Sequence, residues 1–188
     1  MDLERIGRIF EEDLNFINKK ENLLLNPDVI RYISLIMLNY TKNIPLYIID
    51  IKENSTYKTY KTKGDVSLLL VGLFTEWLNR TNRPLTESNY IQTGKQNYEN
   101  AYFYLDLNYG KELRAEIGKE YVNYLKNQKD IINTYLEIFK EISEYFEGYA
   151  YLLKKFRHEK EQNSEFFNQI PAGRLIELEN LLFKIFNS

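Results

Sequence analysis

From Ile131 onward the residues Tyr135, Phe139, Ile142, Phe146, Tyr149, Leu153 and Phe156 recur at steps of three and four. That spacing keeps one helix face apolar for about three heptads, so the rest of the chain has to supply neighbours along its length. The spacing predicts a long central helix from about Asn127 to Arg157, packed lengthwise in a bundle, with Gly148 as the residue that bends it. Strands have little room beside it. Pro45 to Ile51 is rich in β-branched residues, but no second run pairs with it, and a lone strand is unstable. A short helix or an extended connector is expected there.

Shorter apolar stripes precede the long one. Leu3, Ile6, Phe10, Leu14 and Ile17 mark a first helix. Asn26-Pro27-Asp28 reads as a cap, a proline at the first helical position and an acid at the positive end of a second helix reaching about Lys42. Lys52 to Gly64, with its Tyr-Lys-Thr repetition, is expected to be a solvated loop or a short helix with snorkelling lysines. Gly64-Asp65 suggests a break and a fresh N-cap for a helix carrying Val66, Leu69, Leu70, Leu73 and Trp77 as far as Arg80. Thr86 should cap a helix with the seam Tyr90, Gly94, Tyr98, Ala101, Tyr102 and Leu105, ending before Gly110. Leu113, Ile117, Tyr121, Tyr124 and Leu125 suggest a separate helix. Residues 157–170 read as a polar linker before a C-terminal amphipathic helix at 171–187, built on Leu175, Leu178, Leu182 and Ile185. The expectation is therefore one all-α domain spanning 1–188, a bundle of about seven helices around the long one.

Composition narrows the chemistry. The 188 residues include no cysteine and one histidine, His158, which removes disulfides, thiol nucleophiles, cysteine-based zinc sites and two-histidine di-iron sites. No metal and no cofactor is expected. With 25 basic and 27 acidic residues the net charge is -2, so no general attraction to nucleic acid or anionic membrane follows. The windows Val29–Ile51 and Val66–Leu78 fall short of the ~18 uninterrupted apolar residues a membrane span requires. The acidic start, with Asp2, Glu4, Glu11, Glu12 and Asp13, is unlike a secretory signal, and a cytoplasmic location is expected. His158 lies in a charged run typical of a solvated helix surface. Glu11 with Glu12, and Glu141 with Glu144, read as exposed pairs. No Gly-rich dinucleotide loop or Walker loop occurs.

The segment from Gly64 to Tyr98 differs in kind. It gathers Asp65, Ser67, Glu76, Trp77, Tyr90 and Tyr98 with Gly72 and Gly94 on two successive predicted helices. Glycine inside a helix costs roughly 1 kcal/mol relative to alanine, so both glycines ask for a reason. Either the helices cross closely, or Gly72 and Gly94 face a shared small organic ligand. The same segment resembles a family of uncharacterised bacterial all-α proteins, through Gly64-Asp65-Val66-Ser67-Leu68, Gly72-Leu73-Phe74, and Asn89-Tyr90-Ile91 with Gly94 and Tyr98. The resemblance covers residues 64–98, and Asn89 stands where the family has a first tyrosine. It implies helical architecture and no activity.

Three functions remain. First comes a non-catalytic interaction or scaffold module, a homo-oligomer (a dimer before larger assemblies) or the binder of a protein partner, associating through the last helix. Second comes a small-molecule-binding regulator with a tyrosine-rich pocket between helices 65–80 and 86–108. Third comes an enzyme, which would need Asp65 or Glu76 buried beside a tyrosine hydroxyl.

Overall fold

The computed structural model describes residues 3–42, 56–79, 85–114 and 119–161, and all regular structure among them is helical. Five long helices and one short turn appear: α1 (Leu3–Lys20), α2 (Pro27–Lys42), α3 (Thr56–Leu73), α4 (Thr75–Leu78), α5 (Glu87–Arg114) and α6 (Lys119–Glu161). Among the described residues no helix is long and apolar enough to cross a membrane. The expected connector at 45–51, the greater part of the turn at 81–86, and the final helix at 171–187 lie outside the described residues.

The central element is α3. Gly64 to Leu73 is buried at every position, which requires apolar neighbours on all sides of the helix. α5 packs along it, α6 crosses both, and α1 pairs with α2 against α6. The stripe read along α6 is the core seam: Phe139, Ile142, Phe146, Tyr149 and Leu153 are fully buried and Phe156 nearly so. Tyr135, one turn earlier, remains partly exposed, with its ring against Tyr32 and Phe139.

The helix ends follow local chemistry. Asn26 caps α2 by accepting the Asp28 N–H at 2.9 Å, as expected. At α5, the Asn89 N–H points to the Thr86 hydroxyl oxygen at 3.4 Å, and the Thr86 N–H donates to Asn89 Oδ1 at 2.8 Å, a reciprocal capping arrangement.

Several boundaries differ from expectation. Gly64-Asp65 is no break: α3 begins at Thr56, so the Tyr-Lys-Thr stretch is its first half. Inside this helix Gly64 makes room for the Tyr98 ring, which lies 3.0 Å from where a Cβ would sit. The helix ends at Leu73 rather than near Arg80, with Phe74 separating it from α4. α5 passes through Gly110 to Arg114, and α6 begins at Lys119, absorbing residues read as a separate helix. At its other end α6 runs to Glu161, so 157–161 is helix rather than linker. The described residues therefore do not reach the expected helix count.

The bend in α6 falls at Tyr145 (φ −114°, ψ 29°), three residues before Gly148. Just before it, the Ser143 hydroxyl donates to the Lys140 carbonyl at 2.7 Å, a back-bond that competes with the helical ladder. Side chains bracket the bend. Tyr149 donates its hydroxyl to Glu141 Oε1, and Asn26 Nδ2 donates to Glu141 Oε2 at 2.8 Å. Burial, reinforced by the adjacent Glu141, holds the Tyr149 phenol well above its ordinary pKa. A raised folded-state pKa means that this stabilisation is complete below the unfolded value of about 10 and is lost as pH rises above it. Urea titrations from pH 7 to 11 are expected to show Tyr149→Phe less stable at pH 7 by about 1–2 kcal/mol, with the gap narrowing above pH 10. A gap that widens with pH would contradict this account.

Candidate functional site

Asp65 is the one charged side chain sealed inside the described helices, at 1% exposure. Its Oδ1 accepts the Tyr32 hydroxyl at 2.5 Å and the Tyr98 hydroxyl at 2.8 Å. Its Oδ2 accepts Lys61 Nζ at 2.7 Å, one helical turn earlier on α3. The Lys61 ammonium also lies 5.3 Å from the centre of the Tyr32 ring. A buried carboxylate is tolerable only when charge and lone pairs are answered, and here α2, α3 and α5 each contribute. Two hydroxyls and an ammonium occupy both oxygens, which suits a pin between helices. A general base needs an oxygen facing substrate.

Ser67 and Gly94 lie next to this cluster. A Cβ added at Gly94 would collide with the Phe146 ring edge and come 3.1 Å from Ser67 Cβ. Ser67 is fully buried, its Oγ without a hydrogen-bond partner. Tyr90 and Tyr98 are fully buried on the same α5 seam. Gly72 sits two turns along α3, where a Cβ would strike Leu153. Both glycines face inward, as their positions predict, yet they meet side chains of α6 rather than each other.

Glu76 separates from the rest. On α4 it is 82% exposed, with one oxygen 3.7 Å from Arg157. Trp77 belongs to α4, and its side chain is outside the described set. The candidate residues thus divide: Asp65, Ser67, Tyr90, Gly94 and Tyr98 form a packed polar-aromatic interior, while Gly72 and Glu76 border an open groove of about 200 Å³ lined also by Thr75, Lys154, Arg157 and His158. The groove lies between α3–α4 and α6, whereas the sequence pointed to a pocket between α3 and α5. Its cations are engaged: Lys154 reaches Glu87 at 2.5 Å, and Arg157 donates to the Leu73 carbonyl and lies over the Phe74 ring.

Tyr32 and Lys61 belong to the Asp65 cluster and were missed from sequence. Lys61 is four residues before Asp65, a spacing that signals an ion pair on a continuous helix. Gly64, read as a break, concealed it. Tyr32 lies on a remote helix and carries no local signal. The nearby basic stretch is likewise engaged in packing. Burial lowers the Lys63 pKa, its ammonium lies 5.8 Å from the centre of the Tyr60 ring, and Tyr60 stacks on Tyr104 at 5.3 Å. Among the described residues no three His, Asp or Glu side chains gather into a set that could hold a metal ion.

No protein family, curated protein or solved structure matches this chain.

Two outcomes follow from this geometry. Asp65→Ala removes the acceptor shared by the Tyr32 and Tyr98 hydroxyls and is expected to cost on the order of 3 kcal/mol by chemical denaturation, and Lys61→Met, which keeps the Tyr–Asp bonds but leaves the buried carboxylate without its counter-charge, is expected to cost a comparable amount. For Gly72→Ala and Gly94→Ala the sign decides. On an open pocket floor, alanine would gain up to ~1 kcal/mol of helix propensity. Against Leu153 and Phe146 each is expected to lose about 1–3 kcal/mol.

Proposed function

We propose that this chain is a non-catalytic helical interaction module, acting as a homo-oligomer (a dimer first) or binding a protein partner, in the cytoplasm. The observation that carries the reading is the use of the candidate site in packing: Asp65 is fully engaged by Tyr32, Tyr98 and Lys61, and side chains of α6 fill the spaces left by Gly72 and Gly94. Leu24 meanwhile stands on the surface at 85% exposure. The amphipathic sequence at 171–187 supplies a further stripe for self-association. The likeness of residues 64–98 to a family of helical bacterial proteins is compatible with this role.

A second reading has one observation in its favour. The groove beside Gly72, with Thr75, Glu76, Lys154, Arg157 and His158 on its walls, has room for a small organic molecule, which would make the protein a ligand-binding regulator. The enzyme reading ranks third: Asp65 is buried beside the Tyr32 and Tyr98 hydroxyls, as that reading requires, but both of its oxygens already accept donors from the protein, and Glu76 stands exposed.

Native mass spectrometry of protein purified from its own host separates the readings by mass. The interaction module predicts a dimer or a complex with a second polypeptide, free of small-molecule adduct, and light scattering should show association that weakens when residues 171–188 are removed. A monomer at high concentration carrying a stoichiometric organic ligand would overturn it in favour of the regulator.

A further inference from the structure

The end of α6 lies against one face of α1. Phe156 meets Phe10 edge-on at 5.9 Å, Lys160 reaches Asp13 at 2.7 Å, and Glu159 reaches Lys20 at 2.6 Å. On α1 the residues Ile9, Asp13, Phe16 and Lys20 follow at steps of four, three and four, so they share a face. The polar members of that face are taken up by α6. The apolar members are not, since Ile9 is 44% and Phe16 61% exposed. Singly such residues are ordinary. Two of them on one face, beside the point where the chain leaves α6, form an apolar strip uncovered among the described residues.

Charge does not choose the occupant of this strip. Arg8, Glu12 and Lys19 border it at the surface, two bases and one acid, and Asp13 and Lys20 are already paired. The path of the chain does choose. Nine residues, 162–170, separate the end of α6 from Pro171, and an extended chain of that length reaches ~30 Å. With its 18 residues α1 is ~27 Å long, so the whole strip is within reach. Residues 171–187 carry what the strip lacks. Leu175, Leu178, Leu182 and Ile185 recur at steps of three and four, and Leu178 and Ile185 are seven apart, as Ile9 and Phe16 are. The charges of that segment, Arg174, Glu177, Glu179 and Lys184, are as mixed as those around the strip, so no block of like charge opposes the contact.

We propose that residues 171–187 pack as a helix on the Ile9–Phe16 strip of their own α1, which occupies the stripe that self-association uses. The proposal rests on the interaction reading above and names the regulation of its contact. A segment on a short tether meets its own chain at an effective concentration on the order of millimolar, and a second copy has to compete with that before it displaces the segment. Association through 171–187 is therefore held back by an intramolecular competitor, and a change that weakens the strip strengthens the dimer.

The chain has no cysteine, so an introduced pair reports the contact directly. Phe16→Cys is combined in turn with Leu175→Cys, Leu178→Cys and Leu182→Cys in the full chain and oxidised at high dilution, beside Phe103→Cys on α5 with the same three partners. At least one Phe16 pair is expected to close within one chain, at monomer mass and faster than any Phe103 pair. The second measurement is the dimer dissociation constant by analytical ultracentrifugation. Ile9→Gln combined with Phe16→Gln keeps good helix formers on α1 and is expected to tighten the dimer by about tenfold, while Phe103→Gln leaves it unchanged. Disulfides formed no faster than the Phe103 controls overturn the proposal, and so does a dimer indifferent to the double substitution. Cross-links found only at dimer mass, with a dimer weakened by the double substitution, overturn it in favour of a second copy as the occupant. An intrachain disulfide in a protein that stays monomeric in every variant removes the interaction reading and leaves the docking contact in place.

Discussion

The structure depends on how closely α6 approaches α3 and α5. Gly72 and Gly94 remove the two side chains that would hold the helices apart, and Leu153 and Phe146 occupy those positions. Interiors are packed about as densely as organic crystals, and at these two contacts the approach leaves no room for a further side chain. That in turn dictates the polar chemistry inside. A carboxylate in such a place cannot rely on water, and Asp65 persists because α2 and α5 each bring a tyrosine hydroxyl and α3 brings Lys61. The glycines and the aspartate are therefore one arrangement: close approach excludes solvent, and solvent exclusion requires that the buried charge be paired.

A single bent helix serves the whole core through that approach. Before the bend at Tyr145, Phe139 of α6 meets Tyr32 of α2 and Tyr98 of α5. Just past it, Phe146 meets Tyr98 and the Gly94 notch; farther on, Leu153 fills the space at Gly72, and Phe156 meets Phe10 of α1 edge-on at 5.9 Å. A change in helix direction allows one apolar stripe to face different partners along its length. The bond from Tyr149 to Glu141 spans the bend, and Asn26 joins both residues, so the cap of α2 and the angle of α6 are set by the same side chains.

The periodicities were legible in the sequence wherever a helix has one buried face. The α6 stripe, the first two helices, and the caps at Asn26 and Thr86 follow from spacing and capping chemistry alone. Legibility failed where long-range contact overrides local preference. Gly64-Asp65 carries the local signature of a helix start, yet the helix runs through it, with the Tyr98 ring against Gly64 and two hydroxyls on the inward carboxylate of Asp65. The periodicity correctly turned Gly72 and Gly94 to the interior, but it specifies a face and not a partner: Gly72 meets α6, and Gly94 meets both α6 and Ser67 of α3. Of the candidate site, Asp65 and Tyr98 were found together because they share a segment. Tyr32 was missed because a residue on another helix leaves no trace in local spacing.

The division of labour among polar residues bears on where activity can reside. Side chains that would ordinarily suggest catalysis are drawn into holding α2, α3 and α5 together. The turn between α1 and α2 is built on the opposite principle. Asn18 of α1 fixes its backbone at Leu25, and Glu21 and Asn26 tie it to α6, all without burying Leu24. Other exposed apolar residues, such as Leu35 and Phe103, lie on regular helix where any side chain is conformationally acceptable, and scattered surface hydrophobes of that kind are ordinary. At Leu24 both the backbone and the solvent disfavour the residue present. Leu24 is therefore a position whose residue neither the core nor the turn selects.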